Sequence, residues 1–195
     1  MINLPNHIFF TGAPGSRWSG IAQTIETIPG FNTSDRRPDR EYRHNNYSGH
    51  LGAYFGHGME CILITNGNYI DRQWAEPGGT KLIKSHEWAF CMPQIKKKKQ
   101  WQDSWVMMVY RPDMACYSWW HEAGGFNIKY PNYSAYKDSN TMLTEIVKQN
   151  AAILEYGKIN NCKWEYFTSN WIKENFNADV DVTNVWPDIL VTLIK

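Results

Sequence analysis

The segment 7–27 is the part of the sequence that most constrains the fold. Its apolar run Ile8-Phe9-Phe10 is followed by small and turn-forming residues at 11–19, and a helical pattern starts near Gly20 and is expected to end near Pro29-Gly30. This order predicts a buried strand, a tight loop and a helix. Small residues between a strand and a helix N terminus let backbone amides converge on an anion, so a phosphate or sulfate ester is the expected ligand.

The loop does not match the phosphate-binding loop of ordinary ATPases and GTPases. Gly12 is not followed at the required spacing by Gly-Lys, and nothing after the loop supplies the phosphate-binding lysine. An ordinary nucleoside triphosphatase is therefore disfavoured. A turn of this composition also occurs where a loop only connects a strand to a helix, so the rest of the chain has to distinguish the two.

Composition excludes several broad classes. The 195 residues suit one domain, 1–195, and 20 basic against 19 acidic residues leave a net charge of +1, which provides no general attraction for nucleic acid or a membrane surface. No stretch approaches the roughly 20 apolar residues of a membrane span, and no signal peptide is evident. The four cysteines form no C-x-x-C pair, so neither a zinc site nor a disulfide framework is indicated. We expect a soluble cytoplasmic protein.

Further apolar and amphipathic segments alternate along the chain. Strands are predicted at 61–65, 81–86, 105–110, 163–167 and 188–194, and helices at 114–121, 142–156 and 169–176. We expect Asp113 to cap the first of these helices and Ser139 or Asn140 to cap the second, which Gly157 would end. This order predicts an α/β fold of three layers with a mainly parallel central sheet and a P-loop-like first strand, loop and helix.

A long polar insertion, dotted with glycines, is expected at about 32–58. Segments of this length without regular structure are commonly lids, binding loops or disordered segments. Its histidines His44, His50 and His57 share no spacing typical of a metal site, and we predict no metal.

Several charged and polar residues fall at the carboxyl ends of predicted strands or just beyond them. They are the loop 12–19, Lys84, His86, Arg111 and Ser118. Ligands of open α/β sheets bind at these strand ends, so we expect the residues to face one crevice. An anion loop with a lysine, a histidine and an arginine suits the transfer of a charged group, with a base to activate the acceptor.

Three motifs in this order resemble the sulfotransferases that use 3′-phosphoadenosine 5′-phosphosulfate (PAPS). The first is similar to the family's loop for the 5′-phosphosulfate, the second to a strand ending in Lys-Thr-His, and the third to its 3′-phosphate motif. The matching residues are 11–16 (TGAPGS), 81–86 (KLIKSH) and 109–120 (VYRPDMACYSWW). Looser similarity extends the resemblance over most of residues 7–177.

The resemblance implies a sulfotransferase with a role for each matched position. His86 would be the base that takes a proton from an acceptor hydroxyl or amine, and Lys84 would lie against the transferring sulfonate. Arg111 and Ser118 would bind the 3′-phosphate. PAPS would be the co-substrate, 3′-phosphoadenosine 5′-phosphate (PAP) the product, and no metal would be required. The 5′-phosphosulfate would lie on the loop residues Gly12, Ala13, Pro14, Gly15, Ser16, Arg17, Trp18 and Ser19.

The acceptor implied by the resemblance is a small molecule or a carbohydrate. We expect the insertion 32–58 and the tyrosine-rich segment 130–136 to line its side of the site, because aromatic and polar residues suit a sugar or a phenol equally.

The chain departs from the family's pattern at four positions. Gly15 stands where the family has a loop lysine or arginine, and Arg17 stands where it has glycine, so either Arg17 takes over the contact or the contact is lost. Trp18 falls one residue before the tryptophan that stacks on adenine. Arg111 falls one residue late when the following proline and serine are aligned.

Other interpretations of the same residues remain open. His86 is alternatively a hydrogen-bonded histidine at a strand end, and Lys84 and Arg111 are alternatively surface charges. At the level of the whole chain, the alternatives are a binding or structural protein that keeps the fold without catalysis and a nucleotide-dependent phosphotransferase that uses the same loop.

Overall fold

The computed structural model describes residues 3–38, 42–44, 48–50, 52–53, 70–127 and 137–195. The strands in these ranges are β1 (His7–Gly12), β2 (Tyr42–His44), β3 (Ser48–His50), β4 (Lys81–Lys84), β5 (Trp105–Tyr110), β6 (Glu165–Tyr166) and β7 (Leu190–Ile194). The α-helices are α1 (Trp18–Ile25), α2 (Trp88–Lys96), α3 (Asp113–Glu122), α4 (Ser139–Ile159) and α5 (Ser169–Phe176). Short 3₁₀ turns cover Lys99–Trp101 and Gly125–Asn127.

The central sheet is mixed, with the strand order β4-β1-β5-β7-β6. The predicted α/β fold is confirmed, and β4, β1 and β5 are parallel. A mainly parallel sheet is correct only for this centre, because β7 runs antiparallel to both β5 and β6. The coil 177–189 returns the chain to the edge where β5 ends, since Leu190 pairs with Tyr110. A strand that starts at that edge must run against its neighbour.

Alternate residues of β1 enter two separate cores. Ile8 and Phe10 pack on one face of the sheet with residues of α1 and α5. Phe9 packs on the opposite face with residues of α2, and Ile153 of α4 joins that cluster. This alternation is the period of two that a strand buried on both faces requires, and it gives the helix–sheet–helix layers.

Helix α1 is shorter than the sequence predicts. It begins at Trp18 rather than near Gly20 and ends at Ile25 rather than near Pro29-Gly30. Arg17 precedes it with a left-handed backbone, φ +63°, which reverses the chain direction just before the first turn.

The predicted caps of the two longer helices are wrong in detail. Asp113 is the first residue of α3 and caps nothing, since its carboxylate accepts a hydrogen bond from Asn150 Nδ2 at 2.7 Å. Asp138 caps α4 instead of Ser139 or Asn140, accepting from the Thr141 amide at 2.8 Å.

Gly157 does not end α4, which continues to Ile159. A Cβ at this position would lie 2.9 Å from the indole of Trp164. The glycine therefore serves close packing between α4 and the following chain, not helix termination.

The insertion 32–58 contains regular structure, contrary to the expectation of a long irregular loop. Strands β2 and β3 form an antiparallel pair with Tyr42 opposite His50. The predicted strand 61–65 and the segment 130–136 lie outside the described residues, as does His57. In the described ranges, no helix combines the length and apolar character needed to cross a membrane.

Candidate anion-binding site

The sheet order brings three of the sequence motifs to one edge. Strands β4 and β5 flank β1 and run parallel to it, with Phe10 beside Lys84 and Gly12 beside Val109. The segments that follow these strands therefore meet at the carboxyl edge of the sheet.

The loop after β1 closes as a tight turn that its own sequence specifies. The Ser16 amide donates to the Ala13 carbonyl at 3.0 Å, and Gly15 between them has φ +77°. Proline at the second position and a positive-φ glycine at the third are the features of a type II turn. Because Arg17 follows in the left-handed region, α1 starts immediately after the turn.

Two glycines of the loop leave no room for a side chain. A Cβ on Gly12 would lie 2.8 Å from both Ser16 Oγ and Trp18 Cβ. One on Gly15 would lie 2.0 Å from the carbonyl oxygen of Cys116, in the first turn of α3. The loop is thus held between α1 and α3 at backbone contact distance.

Ser16 carries an unsatisfied polar atom inside this loop. The residue is fully buried, and its Oγ has no hydrogen-bond partner in the structure. A buried hydroxyl without a partner costs about 1 to 3 kcal/mol. It lies two residues before the first turn of α1, where backbone N–H groups have no helical acceptor. An orphaned donor beside a helix N terminus fits a bound oxyanion.

His86 contacts the loop from the end of β4. Its Nδ1 hydrogen-bonds to the Gly12 carbonyl, which can only accept, so Nδ1 carries the proton and Nε2 is the basic nitrogen. The Trp18 ring lies 4.5 Å from the imidazole, centroid to centroid, and Thr11 Oγ1 donates to the His86 carbonyl at 3.2 Å. Loop and strand end are therefore locked together through His86.

Burial keeps His86 neutral. It lowers the pKa of His86 from 6.5 to about 3, and the hydrogen bond to Gly12 opposes this only in part. The imidazole is thus an uncharged acceptor at physiological pH, but a weak base until a nearby negative charge stabilises its protonated form.

Lys84 contacts two buried carboxylates. Its Nζ donates to Glu26 Oε1 at 2.5 Å and lies 3.8 Å from Asp35 Oδ2. The lysine side chain is only 6% exposed, against 2% for Glu26 and 0% for Asp35. Arg36 completes the group by donating to the second oxygen of Glu26 at 2.9 Å. Lys84 is predicted to lie at the sulfonate, and its contacts in the structure are with this ion cluster.

The same cluster ties the insertion to the sheet. Asp35 Oδ2 accepts from the Ala53 amide at 2.7 Å, and a Cβ on Gly52 would lie 2.3 Å from that oxygen. Burial raises the pKa of Asp35, and Lys84 opposes that rise. The lysine therefore stabilises the negative charge around which residues 52–53 are held.

Arg111 reaches the loop from the end of β5. Its Nη1 donates to the Gly15 carbonyl at 3.2 Å, and its Nε donates to Asp188 Oδ2 at 2.7 Å. The Arg111 side chain is 13% exposed and that of Asp188 is 34% exposed. The arginine is held at the loop, and its carboxylate partner reaches solvent.

Arg17 has both faces of its guanidinium covered by indole rings. Its Cζ lies 3.9 Å from the ring centroid of Trp119 and 4.0 Å from that of Trp186. Burial lowers the pKa of Arg17, and nearby Arg111 lowers it further, while Asp188 acts against both. Two arginines close enough to repel each other are a favourable setting for an anion.

Three other residues were expected at the site. Trp18 is buried in the core, where its ring stacks on Phe10 at 5.5 Å between centroids and also contacts His86. Ser19 is partly exposed in the first turn of α1. Ser118 is exposed on α3 and, among the described residues, makes no hydrogen bond with Arg111.

Sequence reasoning missed the partners of the expected cations. Glu26 and Asp35 at Lys84, and Trp186 and Asp188 at the arginines, had no assigned role. Arg111 and Asp188 are 77 positions apart, and no periodicity or spacing connects them. The ten tryptophans are a general sign of aromatic packing, but they do not indicate which rings lie on Arg17.

Comparison with known proteins does not identify a relative. No family model matches the chain, and no curated protein or solved structure is significantly similar to it.

Proposed function

We propose that this protein binds 3′-phosphoadenosine 5′-phosphosulfate and transfers its sulfonate group to a hydroxyl or amine. The observation that carries the proposal is the adjacency of β4, β1 and β5, which joins the loop, His86 and Arg111 at one edge through direct hydrogen bonds. These are the three segments in which the sequence resembles PAPS-dependent sulfotransferases.

The donor groups present suit an anionic nucleotide. The buried Ser16 hydroxyl, the first-turn amides of α1 and the Arg17 guanidinium would hold the 5′-phosphosulfate. Arg111 would hold the 3′-phosphate. The nucleotide bound there carries the activated bond, which joins the sulfonate sulfur to a phosphate oxygen. Arg17 thereby takes the part that a loop lysine or arginine plays in the family.

His86 would act as the base. The acceptor oxygen or nitrogen bonds to sulfur as the bridging sulfur–oxygen bond breaks. The acceptor proton goes to His86 Nε2, and the electron pair of the broken bond leaves with PAP. The negative charge of the bound donor raises the low pKa of His86, so the base strengthens only when the site is loaded.

Lys84 would contribute by holding the insertion beside His86 through Glu26 and Asp35. A 2.5 Å contact with Glu26 between nearly unexposed groups opposes a shift of the Lys84 ammonium towards the sulfonate.

A second candidate is a protein that keeps the fold without transferring a group. The buried state of His86, with its pKa near 3, and the engagement of Lys84 by two carboxylates favour it. This candidate predicts no affinity for 3′-phosphoadenosine nucleotides.

Calorimetric titration with PAP tests the binding step, with magnesium ATP as the comparison nucleotide. We expect PAP to bind and magnesium ATP to bind more weakly. Arg111→Gln should weaken PAP about tenfold or more through loss of a charge-assisted contact. Arg72→Gln, an exposed arginine outside the site, is the matched control. Preference for magnesium ATP would instead support a phosphotransferase.

Transfer itself is tested with radiolabelled PAPS and a panel of phenols, sugars and amines. His86→Asn should retain PAP affinity and lose turnover. Full activity in this variant would exclude His86 as the base. The absence of both PAP binding and turnover of any acceptor would favour the second candidate.

A further inference from the structure

One short stretch of the coil 177–189 engages both arginines of the candidate site. Trp186 covers one face of Arg17 at 4.0 Å, and Asp188 binds Arg111 at 2.7 Å. Only one residue separates the two contacts. A displacement of this stretch would therefore uncover both guanidinium groups together.

The Asp188 carboxylate is chemically equivalent to the ligand that Arg111 is proposed to bind. Both are oxyanions, and a guanidinium donates to either with the same N–H groups. Asp188 is 34% exposed, so its carboxylate can be solvated when it leaves the arginine. The exchange of a carboxylate for a phosphate would leave no buried charge without a partner.

The charge arrangement favours the position of Asp188 beside the two arginines. Asp188 counteracts the influence that Arg111 and burial exert on Arg17. Without an anion, two arginines at one loop would repel each other, and the carboxylate reduces that repulsion.

The coil itself is held by contacts that do not involve the arginines. Val182 donates its amide to Ser169 Oγ at 2.8 Å, and Lys173 pairs with Asp179 at 2.7 Å. These anchors lie before Trp186, and β7 begins after Asp188. The stretch 183–188 lies between these anchors and the strand. Its own contacts include the packing of Trp186 against the core and the hydrogen bond from the Ile189 amide to the Trp186 carbonyl at 3.2 Å, and a displacement has to give these up.

We propose that Trp186 and Asp188 form a latch that occupies the anion site and is displaced by an incoming phosphate or sulfate ester. This inference rests on the proposed function of the site. The apparent affinity for the ligand is the intrinsic affinity multiplied by the fraction of molecules in which the latch is open. Weakening the latch should therefore strengthen binding.

Calorimetry on three variants tests the latch, with PAP and inorganic pyrophosphate as separate probes. Asp188→Asn removes the competing charge at almost unchanged shape, and Trp186→Leu weakens the cover on Arg17. Asp179→Asn is the matched control, because it removes a carboxylate from the same coil that touches neither arginine. Circular dichroism confirms that each variant is folded.

We expect Asp188→Asn and Trp186→Leu to bind PAP about three- to tenfold more tightly than the native chain, and Asp179→Asn to be unchanged. Equal or weaker binding in Asp188→Asn would overturn the latch, because Asp188 would then be orienting Arg111 for its ligand. If that variant does not fold, Trp186→Leu decides by the same criterion.

The two probes separate the latch from the proposed function. One outcome is that no variant binds PAP but Asp188→Asn binds pyrophosphate more tightly than the native chain does. This outcome retains the latch and rejects PAPS as the sulfonate donor. PAP binding that is equal in all variants retains the donor and rejects the latch. No binding of either probe by any variant rejects both.

Discussion

Lys84 and Arg111 lie at the ends of the two strands that flank β1, yet their surroundings differ. The side chains are similarly covered, at 6% and 13% exposed. Their partners are not, since Glu26 and Asp35 are at most 2% exposed and Asp188 is 34% exposed. A cation whose partner is buried cannot leave without stranding a charge, whereas one whose partner reaches water can exchange it. The exposure of the partner therefore distinguishes a structural cation from one available to a ligand.

Removing Lys84 gives the largest expected effect. Lys84→Met leaves Asp35 buried without its cation and leaves Glu26 with Arg36 alone, so the free energy of unfolding should fall by about 3 to 5 kcal/mol in urea denaturation. Lys81→Met is the matched control on the same strand, because its partner Asp71 is 45% exposed, and it should lose about 1 kcal/mol or less. Equal losses in the two variants would show that the exposure of the partner does not determine how much each lysine contributes to stability.

A methyl group added at Gly15 tests how closely the loop packs against α3 near Arg111. Gly15→Ala places a Cβ 2.0 Å from the Cys116 carbonyl at a φ of +77°, and should destabilise the protein by about 2 to 4 kcal/mol. Gly20→Ala is the control, because nothing lies within 4 Å of its Cβ position in α1 and alanine there should stabilise by about 0.5 to 1 kcal/mol. Thermal unfolding of both variants measures the contrast, and a tolerated Gly15→Ala would show that the loop can move away from α3.

His86, two residues after Lys84, makes the free energy of unfolding depend on pH. In the unfolded chain it takes up a proton near pH 6.5, but in the folded chain only near pH 3. Unfolding therefore binds a proton between these values, and stability falls as the pH falls. Between pH 7 and pH 5 the native chain should lose about 2 kcal/mol more than His86→Asn in urea denaturation. Parallel losses in the two proteins would contradict the burial of a neutral imidazole.

Removing Arg111 should have the smallest effect on stability. Arg111→Gln leaves Asp188 exposed to water, so the loss should be about 1 kcal/mol and should shrink as sodium chloride is raised from 0.05 to 0.5 M. The loss in Lys84→Met should persist over the same range, because its charges are screened much less. A salt-independent loss in Arg111→Gln would mean that Asp188 is a fixed structural partner, like Glu26.

Much of the architecture could be predicted from local pattern. The apolar runs at β1, β4 and β5 and the helical periodicity of α4 are local patterns that identify these elements. Element ends were less predictable. Trp164 packs against Gly157, so a glycine that by itself indicates a helix end lies inside α4.

The candidate site was predictable in its segments and not in its contacts. The loop, His86 and Arg111 were expected at one edge, and parallel pairing on both sides of β1 brings their strands there. The pairing of Lys84 with Glu26 joins residues 58 positions apart. Because side chains alternate along a strand, Lys84 lies on the same face of the sheet as Leu82, which packs with α1. No local pattern indicates that a carboxylate lies next to that helix and within reach of Lys84.

The sequence by itself determined the strand, the tight turn and the helix at residues 7–25, because proline, glycine and apolar spacing act over a few residues through sterics and burial. The tertiary structure alone decided which cations are internal and which meet an exposed partner. That choice depends on the dielectric surroundings of each pair, and these are set by segments distant in the chain: Glu26 and Asp35 around Lys84, and the coil carrying Trp186 and Asp188 over Arg17 and Arg111.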